Sequence, residues 1–176
     1  MRLRLLVPLL AILAGLSLLS PAVAAEAVFP PGLRVGLEPP GDLVVSKRFA
    51  GFEDFDRKVA ITILDLPGRA YEDIERSVFD KNQKNLTVGK REMFPFGAGV
   101  GILVTGNSVE SGVTIHKWFL LATATGQNLA TLVAVQVPEP ALKVYSDAAV
   151  RKALKSIAFR PMPIEEQLGM LPFKLR

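Results

Sequence analysis

Histidine occurs once in the chain, at His116, inside GVTIHKWFLL. An imidazole titrates near neutrality, so this is the first place to look for proton transfer or metal binding. A serine–histidine–acid triad needs its serine on a sharp turn, and no serine here sits in a G-x-S-x-G elbow. A zinc site would have to be completed by carboxylates or water, because the chain has no cysteine. His116 therefore reads as a half-buried sheet histidine, on one side of a strand with Thr114 and Trp118.

The other clusters are weaker signals. Glu53, Asp54 and Asp56, with Asp42 nearby, offer oxygen ligands but lack the spacing of a calcium loop, and they read as a solvated turn. GAGVG, residues 97–101, resembles a phosphate loop in composition only. Nucleotide folds place a strand before the glycines and a helix after them, whereas here a strand follows. Lys81, Lys84, Lys90 and Arg91 precede Phe94 and Phe96. That mixture can meet an acidic partner or anionic headgroups, but a solvated loop with inward phenylalanines is simpler. Arg151, Lys152 and Lys155 read as solvent-facing cations at a helix C-terminus. No catalytic residue, cofactor or metal ligand is expected. Two candidate surfaces remain. One is a ligand pocket at His116 and Trp118. The other is the C-terminal tail, where Met170, Leu171, Phe173 and Leu175 could dock on a partner.

Elements that position these residues can be read from periodicity. Residues 34–37 suit a short strand, and Pro40 then Gly41 suit a type II turn. Residues 43–52 read as one strand, 53–57 as a charged turn and 58–66 as an inner strand. Tyr71, Ile74, Val78 and Phe79 recur at helical spacing behind Pro67 and Gly68, and 82–85 is a polar loop. Strands follow at 86–94, 100–105, 113–123 and 129–137, separated by FPFGAG, GNSVESG and TGQN. Several are apolar on both faces, which calls for cover on each side of the sheet. Ser146 is a natural N-cap. Behind it Val150, Ala153, Leu154 and Ile157 fall at i, i+3, i+4 and i+7. Phe159 and Arg160 begin a last strand that Pro161 and Pro163 stop.

The fold class expected is α+β, an antiparallel sheet with helices packed on both faces. Arg2 and Arg4, an apolar run at residues 5–19 and SPAVAA have the order of a Sec-type signal peptide, cleaved near Ala24 or Ala25. The domain plan is thus a signal peptide at 1–25, one α+β domain at 26–160 and a tail at 161–176. Losing Arg2 and Arg4 takes the 21 basic side chains to 19 against 17 acidic ones, too even a balance for a nucleic-acid binder. After cleavage nothing is apolar and long enough to stay in a membrane. The expected location is the periplasm or the exterior.

RVGLEPPGDLVVSKRFAGFED, KREMFPFGAGVGILVTG, GVTIHKWFLLATATGQNLATLVAVQVPE and DAAVRKALKSIAFRP followed by EEQLGMLPFKL together resemble a family of exported proteobacterial proteins of unknown function. The likeness covers nearly all of the mature chain. It extends to the wider PsbP-like fold, which includes extrinsic photosystem proteins, a Ran-GTPase release factor, DcrB-like envelope proteins and mycobacterial lipoproteins. In the family the LPF segment leads into a further C-terminal portion, whereas this sequence stops at Arg176. The resemblance implies a PsbP-like sandwich and a non-catalytic accessory protein that binds an envelope protein. A carrier or sensor of a small apolar ligand near Trp118 is the alternative, and an enzyme working through His116 comes third.

Overall fold

Residues Ser111 and Gly112 make a two-residue turn, and the two longest strands among the described residues, 12 and 11 residues, run into and out of it. Both turn residues have positive φ, 51° and 80°. That suits the two-residue turn whose twist matches antiparallel strands. The computed structural model describes residues 26–78, 86–123 and 128–161. The signal segment and the tail residues Met170, Leu171, Phe173 and Leu175 lie outside the described residues, as do Lys81, Lys84 and the 82–85 loop.

In chain order the strands are β1 (Val35–Gly36), β2 (Val44–Val45), β3 (Gly51–Asp54), β4 (Val59–Pro67), β5 (Thr87–Phe96), β6 (Gly99–Glu110), β7 (Val113–Thr123), β8 (Leu129–Pro138) and β9 (Ala158–Phe159). The helices are α1 (Tyr71–Val78) and α2 (Asp147–Lys155), with 3-10 turns at Gly68–Ala70 and Glu139–Lys143. Seven strands form one antiparallel sheet in the order β2-β3-β4-β8-β7-β6-β5, and β1 pairs with β9 apart from it.

Alternation divides the sheet's side chains between two faces. Ile63, Leu103, Leu120 and Val133 lie on one face, in a cluster with Val150, Ala153, Leu154 and Ile157 of and just after α2. Each such aliphatic side chain contributes about 1.5–3 kcal/mol when fully buried. Ser146 caps α2 as expected, accepting from the Ala149 amide. On the opposite face Ile102, Val104 and Leu121 form a smaller cluster with Tyr71 and Ile74 of α1. Leu64, Met93 and Val100 remain exposed.

Four local expectations are corrected. Residues 43–52 are not one strand, because β2 and β3 pair with each other, Val44 opposite Glu53. Ser46 Oγ accepts from the Arg48 and Phe49 amides and donates to Glu53, so it reverses the chain with a side chain instead of a glycine. The turn before β2 is closed by Leu43 N–H donating to Pro40 O, which puts Gly41 (φ 59°) first of the two central residues. GNSVESG is mostly strand. Gly106 lies inside β6, where a Cβ would meet Thr87 O at 2.7 Å across the strand pair. Finally, Glu53 and Asp54 belong to β3, and the charged turn begins only at Phe55.

Candidate functional site

A groove of about 560 Å³ opens between the α2 side of the sheet and the start of α2. Its floor is a row of side chains from three neighbouring strands. Thr87 stands opposite Asn107 and Asn107 opposite His116 in the ladder, while Thr105 stands opposite Trp118. Residues directly opposite on one face have Cβ atoms about 4.5–5.5 Å apart, so Thr87, Asn107 and His116 form a continuous row. Leu142, Ser146, Asp147 and Arg151 supply the wall.

A bulge in β5 makes this row possible. The register shifts between Val88 and Arg91, so Thr87 opposes Asn107 and Glu92 opposes Leu103. With the extra residue both Thr87 and Glu92 face α2 despite their odd spacing.

Charges around the groove are spoken for. Trp118, only 4% exposed, donates its indole N–H to Asp147 Oδ1 at 2.8 Å. Arg151 Nε donates to Asp147 Oδ2 at 2.8 Å, and its Nη1 pairs with Glu92 Oε1 at 2.8 Å. Lys90 closes the chain on Glu92 Oε2 at 2.6 Å. These two cations hold the Glu92 carboxyl below its usual range, Lys90 more than Arg151. Lys117 pairs with Glu110 at 2.9 Å.

His116 is the exception. Its Nε2 is shut off from solvent and has no hydrogen-bond partner, while the ring lies 6.3 Å from that of Trp118. A buried polar atom left unpaired costs about 1–3 kcal/mol, so it calls for an explanation. Among the described residues no carboxylate or hydroxyl orients the imidazole, as a general base requires. Groups of acids and histidine able to hold a metal are likewise absent among the described residues.

The structure therefore brings His116 and Trp118 together at one groove. Sequence reasoning missed Thr87, Asn107, Asp147 and Arg151 there. A signal for Asn107 existed: with Ser111 and Gly112 taken as the turn, counting back along both strands pairs it with His116. Arg151, read as a solvent-facing cation, is half-buried against Glu92 and Asp147.

The acidic cluster divides. Asp54 is buried, and its Oδ2 accepts from Tyr145 O–H at 2.7 Å and from Arg57 Nη1 at 2.8 Å. Burial opposes the charge, but these donors outweigh it and hold the carboxyl at about 2. Burial first, then the hydrogen bond to Asp54, pushes Tyr145 up to about 12. This is an internal tie between the end of β3 and the segment before α2, where a solvated turn was expected. Phe94 and Phe96 pack inward as expected, and Arg91 pairs with Glu75. No helix among the described residues is long and apolar enough to cross a membrane.

No protein-family profile and no curated protein matches the chain. Solved structures similar to it include the following three. A protein from Bacteroides thetaiotaomicron VPI-5482 shares 16% identity at a TM-score of 0.49, over 77% of this chain and 48% of its own. The chain thus spans about half the length of that protein. LpqN, involved in cell envelope biogenesis of Mycobacterium tuberculosis, shares 11% identity at 0.48, over 77% and 83%. PA94 of Pseudomonas aeruginosa, a protein of unknown function, shares 12% at 0.42, over 78% and 89%. Likenesses this distant transfer neither ligand nor activity.

Proposed function

We propose that the protein is an exported, non-catalytic binding protein of the cell envelope that holds a small amphipathic ligand in the groove beside Trp118. The fold proposed with it is a PsbP-like sandwich with helical cover on both faces. The observation that carries the functional reading is an open groove floored by a row of polar side chains, Thr87, Asn107 and His116, that make no hydrogen bond to any described residue, beside the indole of Trp118. The groove's volume falls in the range of ligand sites, and its lining is mixed: Leu142 and the indole on one side, uncommitted polar groups on the other. Export rests on the order of charge, apolar run and small residues at positions 1–25. Docking of an envelope protein on Met170, Leu171, Phe173 and Leu175 falls outside the described residues and draws no support from the groove.

Trp118 is the chain's only tryptophan, so its emission reports the site directly. Titration with a panel of short-chain amphiphiles is expected to give a saturable shift or quench in the native protein and a weaker one in His116→Leu. A flat response across the panel would sink the reading.

A further inference from the structure

Within the ligand-binding reading just given, on which this inference rests, we propose that the groove selects an uncharged head group bearing both a donor and an acceptor, such as a carboxamide, over a carboxylate or an ammonium. The case rests on which lining groups are committed. Arg151 is shared by Asp147 and Glu92, and Lys117 is held by Glu110. Asp147 is occupied by Trp118 and Arg151. No charged lining group is left to pair with a ligand charge, so a carboxylate or an ammonium gains no counter-ion in the groove.

What is uncommitted is a row of polar side chains. The side chains of Thr87, Asn107 and His116 make no hydrogen bond or ion pair to any described residue. They stand side by side across β5, β6 and β7. A hydroxyl and a carboxamide each donate and accept. A carboxamide head can therefore answer the row at both ends. A carboxylate can only accept and an ammonium can only donate. The apolar part of the ligand lies along Leu142 and the edge of Trp118.

A matched series with one alkyl chain isolates the head. Octanamide, octanoate and octylamine are titrated against the mature protein at neutral pH, following Trp118 emission and the His116 ring signals by NMR. Octanamide is expected to bind at least tenfold more tightly than either charged analogue. Thr87→Val and Asn107→Leu, at exposed positions that should leave folding intact, are expected to erase that preference, while His116→Gln keeps a donor and an acceptor and retains part of it. Octanoate or octylamine binding as well as octanamide overturns the head-group inference and leaves the groove reading standing. No saturable response from any of the three overturns both.

Discussion

Trp118 Nε1 donates to Asp147 Oδ1 at 2.8 Å, tying the middle of β7 to the first turn of α2. The acceptor also holds Arg151 and sits where the helix dipole favours a negative charge. Removing it leaves a buried indole N–H without a partner. Asp147→Ala is expected to destabilise the protein by about 2–3 kcal/mol, since hydrogen bonds to charged groups are the stronger kind. Asp147→Asn keeps a neutral acceptor and should cost about 1 kcal/mol. Urea unfolding followed by Trp118 emission and by circular dichroism measures both; equal losses would show that the charge is irrelevant.

The Asp54–Tyr145 tie predicts two limbs in the pH dependence of stability. Asp54 is held at about 2, below its ordinary 3.8, so its contribution is complete above pH 3.8 and is lost as pH falls through 2. Tyr145 is pushed up to about 12 from 10, so its contribution is complete below pH 10 and is lost as pH rises through 12. Tyr145→Phe should abolish the alkaline limb, weaken the acid one and cost about 1.5–3 kcal/mol near neutrality. Melting temperatures measured from pH 2 to 12, for native protein and variant, test the pair. An unchanged alkaline limb in Tyr145→Phe would place the titrating group elsewhere.

Two glycines with positive φ separate backbone strain from collision. Gly112 (φ 80°) has open space where a Cβ would go, so Gly112→Ala should cost only the conformational term, about 1 kcal/mol. At Gly51 (φ 145°) a Cβ would sit 1.9 Å from Ile61 O in the neighbouring strand. Gly51→Ala should cost about 3 kcal/mol or more, as forced backbone movement in a sheet does. Equal costs in thermal melts would mean that β3 shifts freely.

The ease of reading the sequence followed the range of the forces involved. The second helix was legible because its cap and its buried stripe are local: Ser146, then Val150, Ala153, Leu154 and Ile157. So was β7, whose residues 113–123 match the expected strand. The β2–β3 reversal was hidden because a serine side chain makes it, between residues that all favour strands. Gly106 misled for the opposite reason, since it serves close approach to Thr87 and not a turn. At the site, His116 and Trp118 were legible as types. Thr87 and Glu92 were not, because the β5 bulge breaks the alternation that would have placed them on one face. Asp54 looked solvated because its partner Tyr145 lies 91 residues away.

His116 offers the sharpest separation between a residue kept for the fold and one kept for binding. A structural histidine makes hydrogen bonds, and replacing it with leucine leaves its partners unpaired. Here Nε2 has no partner to orphan, so His116→Leu removes an unsatisfied buried nitrogen and adds apolar contact beside Trp118. Most substitutions at half-buried positions destabilise by about 1 kcal/mol. This one is expected to be neutral or to raise stability by about 1 kcal/mol, a melting shift of roughly 2–4 °C for a domain of this size. The same variant should show a weaker ligand response at Trp118. Stability gained as binding weakens is the pattern of a site maintained against the interest of the fold. A His116→Leu protein that melts several degrees lower would show instead that the imidazole is a structural group with partners supplied by water.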